Sequence, residues 1–303
     1  MSSGGSESVE LPPRYEFVSE LGKGGGGEVY LVRDRLTDER LALKTLAASA
    51  AADEMRALLR ETSVLTGLVG LGIPGVRRFG RLPRTGRPYL VREAVEGQSL
   101  AALLGDPAQA ERGALALLGA ADKLTELHRR SILHGDIKPA NIIVTPSGEA
   151  TLVDLGLSAA LREGGERARG LTPRYAAPEL LSGGKVTVRS EIYALGKTLD
   201  DLLEPAKSSL PSYEALAAVA RRATHPAEQE RYPSADAVAH ALRAALGPAA
   251  KPADLAGTRA FPILGMDGAA QRLRAAVDGL ADGAGIVVTG PRGAGKSTLL
   301  RRL

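Results

Sequence analysis

Apolar residues come in short runs along the first third of the chain, and glycine and polar residues separate these runs. The runs at residues 15–21 and 28–33 are typical of strands and flank a glycine-rich segment, which predicts a glycine-rich hairpin. A further apolar run at residues 42–44 predicts a third strand. Residues 53–68 then have helical spacing, with Asp53 as a possible N-cap. The residues that recur at this spacing are Met55, Leu58, Leu59, Thr62 and Leu65.

The later part of the chain reads as helices and then changes character. Helices are predicted around residues 190–203 and 213–223, separated by a short Pro- and Ser-rich stretch. Residues 247–262 are rich in helix breakers and predict a linker. An amphipathic helix at residues 268–281 and a buried strand at residues 285–289 follow, which predicts a second unit over residues 263–303.

Composition excludes several classes of protein. The 303 residues, with 44% hydrophobic side chains, are enough for about two domains. The absence of cysteine excludes disulfides and thiolate metal sites and suits a cytoplasmic location. A net charge of +4 and 3% aromatic residues do not support nucleic-acid binding. No apolar run fits a signal peptide or membrane span, and residues 1–13 are predicted to be a disordered tail.

The segment from His134 to Asn141, followed by Asp154, has the strongest chemical signal. Transfer of a phosphoryl group requires magnesium beside the phosphates and a carboxylate beside the attacking hydroxyl. Asp136 would accept or orient the hydroxyl proton, and Lys138 would lie by the migrating phosphate. Asn141 and Asp154 would supply the oxygen ligands that magnesium prefers. The alternative is a polar loop in which Asn and Asp only form turns.

The glycine-rich hairpin supplies a second candidate site, for the phosphates of a nucleotide. Glycine lets the backbone approach phosphate closely, whereas four consecutive glycines alone would favour a flexible turn. Lys44 strengthens the phosphate interpretation, since a third strand could direct its ammonium at the α and β phosphates. The residues assigned to this site are Gly22, Lys23, Gly24, Gly27, Val29, Ala42 and Lys44.

A carboxylate on the predicted helix could hold Lys44 over the nucleotide. Glu61 is the preferred candidate, and Glu54 is the alternative. A single glutamate on a helix is more often only solvated.

In their order along the chain, these motifs resemble those of bacterial Hanks-type serine/threonine protein kinases over about residues 15–246. The resemblance implies a bilobal α+β fold, with a β-rich N-lobe at residues 14–92, a hinge at 93–96 and a helical C-lobe at 97–246. It implies ATP and Mg²⁺ as cofactors, with Mn²⁺ possible, and proteins as substrates. Further residues match the family: Glu93 and Val95 at the hinge, Ser158 and Thr172 in the activation segment, Ala177, Pro178 and Glu179 after it, and Arg231 as the partner of Glu179.

Several positions depart from the family pattern. Gly135 replaces the usual arginine before the catalytic aspartate, which makes control by phosphorylation of the activation segment doubtful. Thr172 is therefore expected to be structural or catalytic rather than a switch. Leu155 replaces a phenylalanine, and Glu191 replaces an aspartate that braces the catalytic loop. His134 is expected to pack beneath the magnesium motif.

Two rival functions remain open at this point. The His-Gly-Asp variant also occurs in small-molecule kinases that resemble aminoglycoside and choline phosphotransferases, but Lys138 and residues 170–179 favour a protein substrate. A kinase-like binding module that regulates an attached ATPase is the second rival. The intact set of polar groups favours catalysis over that module.

The last motif is a phosphate-binding loop near the end of the sequence. Residues 290–297 match GxxxxGK[ST] directly after the predicted strand, with Gly290, Gly295, Lys296 and Ser297 as the nucleotide-binding positions. This segment resembles the opening of AAA-like signalling ATPases, which follow kinase domains in some bacterial regulators. The 303 residues are therefore expected to be a fragment of a larger protein, with an incomplete α/β P-loop segment that binds nucleotide poorly. The rest of that ATPase or sensor region is the expected partner, and the oligomeric state stays open.

Overall fold

The computed structural model describes residues 9–24, 27–46, 55, 58–59, 62, 72–155, 159–160, 172–207, 209–247 and 275–276. The chain divides into two compact units, Met1–Ala253 and Asp254–Leu303. Of the second unit only residues 275–276 are described, and they are helical and exposed. The predicted strand at 285–289 and the phosphate-binding loop at 290–297 lie outside the described residues.

The first unit begins with a five-stranded antiparallel sheet. Its strands are β1 (Tyr15–Gly24), β2 (Gly27–Asp34), β3 (Arg40–Thr45), β4 (Val76–Arg81) and β5 (Pro88–Glu93), in the spatial order β1-β2-β3-β5-β4. The first three strands are those that the sequence predicts, and in the glycine-rich segment Gly24 of β1 pairs with Gly27 of β2. Residues 55, 58–59 and 62 are helical, within the predicted helix at 53–68.

The two faces of this sheet pack against different cores. Leu41 and Leu43 of β3 contact Tyr89 and Val91 of β5 in a core that belongs to the sheet alone. Since side chains alternate along a strand, Lys44 points to the other face. Leu90 lies on that second face and belongs to the core that continues into the helical lobe. The alternation therefore directs Lys44 toward the second lobe.

The second lobe is built from helices around one large apolar core. The helices are α1 (Ala110–Arg129), α2 (Pro178–Leu181), α3 (Val188–Leu203), α4 (Tyr213–Ala223) and α5 (Ala235–Leu246). Helix α4 has the predicted bounds, but α3 begins two residues before the predicted 190, at Val188. The cause is a capping box, in which the Thr187 hydroxyl accepts from the Ser190 N–H and the Ser190 hydroxyl accepts from the Thr187 N–H.

Short strands position the polar loops between the two lobes. They are β6 (Gln98–Ser99), β7 (Ile132–Leu133), β8 (Ile142–Val144), β9 (Ala150–Leu152) and β10 (Ala159–Ala160), which form the sheets β6-β8-β9 and β10-β7. Residues 134–141 lie between β7 and β8, and Asp154 follows β9. Because β8 and β9 pair directly, both polar segments lie at the same end of one hairpin. In the part of the chain that the structure describes, no helix has both the length and the apolar character that crossing a bilayer requires.

Candidate active site

Three polar side chains of the loop between β7 and β8 contact one another. The Asp136 carboxylate lies 2.6 Å from the Lys138 ammonium and accepts a 2.9 Å hydrogen bond from the Asn141 amide. The same amide donates to the Asp136 carbonyl at 2.8 Å. Among the described residues, the side-chain contacts of Asp136 use Oδ2. Its Oδ1 is left to meet a substrate hydroxyl.

His134 links this loop to the segment that carries Asp154. The ring is fully buried, and its Nε2 lies 3.1 Å from the Val153 carbonyl. Its Nδ1 accepts from the Asp136 N–H at 3.3 Å. Since a carbonyl can only accept, this network assigns the ring proton to Nε2. The ring thus packs between the loop that carries Asp136 and the segment that carries Asp154, and it joins the two by hydrogen bonds.

Glu191 braces the same loop from helix α3. Its buried carboxylate accepts from the Gly135 N–H at 2.6 Å and, through its other oxygen, lies 2.6 Å from Nε2 of His128. Gly135 has a φ of 88°, in the left-handed region that favours glycine. Glutamate has a longer side chain than the aspartate usual at this position in the family, and it still reaches the loop between β7 and β8. Sequence reasoning did not identify His128, whose only signal was its position near the end of a helix that precedes the motif.

Lys44 and Asp154 join the two lobes through an ion pair between the ammonium and Oδ1 of Asp154. Asp154 has a φ of 65°, which non-glycine residues rarely adopt and which is common at functional sites. Burial by itself raises the pKa of Asp154, but the charge and the hydrogen bond of Lys44, together with the charge of Arg92, outweigh burial, so the net pKa lies below its usual range. The carboxylate is therefore ionised, as a metal ligand must be.

Arg92 is a second cation on the face of the sheet that carries Lys44. It lies opposite Ala42 in the pairing of β3 with β5, and only 7% of it is exposed. Among the described residues its Nε and Nη1 are buried without a hydrogen-bond partner, which costs about 1–3 kcal/mol for each unsatisfied group. Its charge also helps to lower the pKa of Asp154. A charged residue within an otherwise apolar strand was the sequence signal that could have identified it.

Within the described part of the glycine-rich hairpin, Gly27 is a glycine that the fold requires. Gly27 has a φ of 127°, and a Cβ built there would lie 2.1 Å from the Thr45 carbonyl oxygen of β3. Gly22 differs, since a Cβ there would meet no atom within 4 Å. Gly22 pairs with Val29 and Gly24 with Gly27, while the Lys23 ammonium lies 2.7 Å from Glu28. Gly27 is thus needed for close packing of the hairpin on β3.

We expect Gly27→Ala to lower the free energy of unfolding by about 1–3 kcal/mol, the usual cost of overpacking. We also expect weaker nucleotide binding, because the hairpin must move away from β3. Gly22→Ala is the matched control and should change stability by only about 0.5 kcal/mol. Chemical denaturation and nucleotide titration of both variants check this. Equal losses of stability in the two variants would contradict the steric explanation; Gly22→Ala does not control for nucleotide binding, because Gly22 is itself assigned to the nucleotide site.

The predicted hinge leaves a backbone donor available for the adenine of a nucleotide. The Glu93 N–H donates to the Gly75 carbonyl at 3.0 Å, and its carboxylate accepts from the Gly75 N–H at 3.0 Å. The Glu93 carboxylate also lies 3.1 Å from Arg77. Within the described ranges the Val95 N–H has no hydrogen-bond partner. Glu93 therefore holds the hinge in place, and Val95 offers the free donor.

The segment at residues 172–179 is attached at both ends. The Lys138 ammonium donates to the Thr172 hydroxyl at 3.0 Å, which ties the start of the segment to the catalytic loop. Ala177 is the N-cap of α2 and Pro178 occupies its first turn. Glu179 pairs with Arg231 through two parallel hydrogen bonds of 2.7 and 2.9 Å.

Arg231 is the most completely satisfied charge of the described site. Its side chain is fully buried. Besides Glu179, its donors reach the carbonyls of His225 at 2.8 Å, Arg189 at 3.1 Å and Pro226 at 3.2 Å. All five N–H donors of the guanidinium can thus be used. The net effect of burial and of the Arg231 hydrogen bonds is to lower the pKa of Glu179.

The structure also reveals contacts that sequence reasoning did not identify. Arg174 donates twice to Asp201 of α3, at 2.8 Å each, and the Tyr175 hydroxyl donates to the same carboxylate at 2.9 Å. These residues are far apart in the sequence and nothing in the local pattern marks Asp201, so the sequence does not indicate the cluster. Several predicted site residues lie outside the described residues: Glu61, Ser158, Gly290, Gly295, Lys296 and Ser297.

The donor atoms at Asn141 and Asp154 fit a divalent cation. The Asn141 amide nitrogen donates to Asp136, so among the described residues the amide oxygen remains available for a metal. Oδ2 of Asp154 also remains available there, because the contact with Lys44 uses Oδ1. Within the described ranges, no group of three or more His, Cys, Asp or Glu could hold a metal alone. Mg²⁺ is often bound by one or two protein oxygens together with substrate phosphates. The two residues suit that arrangement.

Comparison with known proteins places these features in context. Residues 15–230 match the model of the protein kinase domain family. The chain is 33% identical over 196 residues to the DNA damage-responsive serine/threonine-protein kinase RqkA of Deinococcus radiodurans, covering 62% of this chain and 29% of that protein. It is 34% identical over 195 residues to the serine/threonine-protein kinase PknK of Mycobacterium tuberculosis, covering 62% of this chain and 17% of that protein.

A solved structure resembles the same region. The kinase domain of PknI from Mycobacterium tuberculosis has a TM-score of 0.58 and 27% sequence identity, and the match covers 77% of this chain and 96% of that one. The matched region therefore spans nearly all of a solved kinase domain but less than a third of the two curated relatives.

Proposed function

Because this chain belongs to the protein kinase domain family, we propose that it is a serine/threonine protein kinase that transfers the γ-phosphoryl group of ATP to protein hydroxyls. The observation that best supports this proposal is the meeting of four distant polar residues between the two lobes. Lys44 pairs with Asp154, and Asp136 contacts Asn141. The bond from the Val153 N–H to the Asn141 carbonyl, at 3.0 Å, joins the two pairs.

Each residue then has a role that its contacts support. Asp136, with Oδ1 available, accepts or orients the proton of the attacking hydroxyl. Lys138 lies 2.6 Å from that carboxylate and would stabilise charge on the migrating phosphate. Lys44 would bind the α and β phosphates. Asn141 and Asp154 would hold a divalent cation, Mg²⁺ or Mn²⁺, which when bound neutralises phosphate charge.

Two contacts favour proteins over small alcohols as substrates. The Glu179–Arg231 pair and the Arg174–Asp201 pair hold residues 172–179 as a fixed surface beside the catalytic loop. Thr172 is linked to Asp136 through Lys138. A preformed surface of this kind suits an extended peptide. The complete set of reacting groups among the described residues disfavours a binding module without activity.

We further propose that the chain belongs to a larger signalling protein. The matched region covers 29% of one relative and 17% of another. The sequence GPRGAGKS at residues 290–297 is the support for an AAA-like ATPase region as the neighbouring partner. The cytoplasmic location stays a prediction from the cysteine-free composition.

The proposal is tested by incubating the chain with γ-labelled ATP, Mg²⁺ and a generic protein substrate. We expect label on serine and threonine after hydrolysis of the product, and we expect a metal chelator to abolish it. A parallel binding assay follows a fluorescent ATP analogue. Bound nucleotide without label on protein would instead support the binding module, and label only on added alcohols or amines would support a small-molecule kinase.

A further inference from the structure

The exposed side of Arg174 is a cation beside the proposed phosphoacceptor site. The Arg174 side chain is 63% exposed, although its Nε and Nη2 both donate to Asp201. The Asp201 side chain is only 8% exposed. The anion of this pair is therefore buried and the cation faces solvent. Among the described residues Nη1 of Arg174 has no side-chain or backbone partner, so it remains a free donor.

Arg174 is held rigidly in this position by α3. Both oxygens of Asp201 are used, because Oδ1 accepts from Nη2 of Arg174 while Oδ2 accepts from Nε of Arg174 and from the Tyr175 hydroxyl. Burial raises the pKa of Tyr175 to about 12, with a further contribution from its bond to Asp201, so the hydroxyl stays a donor. A bidentate pair of this kind fixes the orientation of the guanidinium as well as its place. The free edge of Arg174 is thus preorganised.

The catalytic residues lie within reach of this cation. Thr172 shares Lys138 with Asp136, at 3.0 and 2.6 Å. Asp136, Thr172 and Tyr175 also line one small cavity. Two residues of extended chain span at most about 7 Å, so Arg174 lies close to Thr172. A peptide whose hydroxyl reaches Asp136 would place its neighbouring residues near Arg174.

Acidic residues lie near this surface, but Arg174 still gives it an exposed positive charge. Asp201 could attract a basic substrate residue if it were uncovered, but Arg174 bonds to both of its oxygens and Tyr175 bonds to one of them. Glu204 is the other carboxylate that acts on Arg174, and it is exposed without an ion pair to Arg174 among the described residues. Arg174 therefore presents an exposed positive charge at this surface.

We propose that Arg174 is a substrate-specificity residue that favours an acidic side chain within a few positions of the phosphoacceptor, and that Asp201 and Tyr175 are its positioning residues. The inference rests on the proposed kinase function and names the class of peptide that this site takes. One exposed ion pair changes relative rates by only about two- to fivefold, so the effect is a preference rather than an absolute requirement.

The test uses serine peptides that differ at one position from three residues before to three residues after the serine, with Glu, Gln or Lys there. The full chain should phosphorylate the best Glu peptide with a kcat/KM about two- to fivefold above its Gln counterpart. Arg174→Gln should bring this ratio to about one and raise the rate for Lys peptides, because Asp201 is then uncovered. Arg174→Lys should keep part of the preference. Arg221→Gln, at an exposed arginine of α4, should keep all of it.

The outcomes separate this inference from the function on which it rests. Phosphorylation of all peptides with no Glu preference would overturn the inference and leave the kinase function intact. An equal loss for every peptide in Arg174→Gln, with an unchanged Glu to Gln ratio, would also overturn it, since that result indicates a purely structural role. If the wild-type chain labels no peptide, both fail together.

Discussion

Asp136→Asn is expected to lower kcat for phosphoryl transfer by about 10²- to 10⁴-fold, the usual contribution of a positioned general base. Asparagine keeps the size of the side chain and can still contact Asn141, but it cannot accept the hydroxyl proton. The charge partner of Lys138 is lost as well, since the two groups lie 2.6 Å apart. Initial rates at saturating ATP measure the effect.

Nucleotide binding should change little in the same variant, because none of the contacts of Asp136 involves Lys44 or Asp154. A loss in kcat with little change in KM for ATP is the signature of an interaction made in the transition state. Asp236→Asn is the matched control, at a half-exposed aspartate of α5 whose carboxylate lies 3.9 Å from the His240 ring. If Asp136→Asn kept more than about a tenth of the wild-type rate, Asp136 would not be the base.

Arg231→Met is expected to lower the free energy of unfolding by about 3–5 kcal/mol, the cost of breaking a buried pair by removing one partner. Methionine leaves the Glu179 carboxylate and three backbone carbonyls without the donors that Arg231 supplies. At about 2–4 °C for each kcal/mol, the Tm should fall by roughly 10 °C. Calorimetry or denaturant unfolding of the chain checks this value.

A double-mutant cycle separates the unpaired charge from the lost packing. Glu179→Met combined with Arg231→Met should be less destabilising than the sum of the two single changes, because no isolated carboxylate remains. Arg221→Met, at an exposed arginine, should stay within about 0.5 kcal/mol of the wild type. Additive losses in the cycle would show that Arg231 acts through its volume and not through its charge.

Much of the catalytic centre could be predicted because its motifs are local. Asp136, Lys138 and Asn141 are separated by only a few residues, so a short turn is enough to bring them together. The hairpin of β1 and β2 could be predicted for the same reason, because glycine and strand formers alternate within one short segment. The helix at 213–223 could be predicted from its periodicity. The start of α3 was predicted two residues too late, because a capping box sets it and hydrophobic periodicity does not indicate a capping box.

Other features depend on contacts between distant segments. Arg174 and Asp201 are separated by 27 residues, and each reads as an ordinary solvated charge on its own element. Arg92 is marked only as a charge within an apolar strand and His128 only by its place near a helix end, and the tertiary structure shows that one lies on the Lys44 face and the other against Glu191. No motif marks such residues, since their role depends on what packs against them.

By itself, the sequence determined which chemical groups this protein has and in which order they occur: Lys44, then Asp136 and Asn141, then Asp154. It also determined the glycine-rich hairpin and the helices around residues 190–203 and 213–223, since these depend on periodicity and turn residues within short windows. The tertiary structure decided the contact of Lys44 with Asp154 across 110 residues, the covering of Asp201 by Arg174 and the burial of Arg231. The physical reason is that the energy of a charge depends on its burial and its partners, and both are set only when distant segments pack.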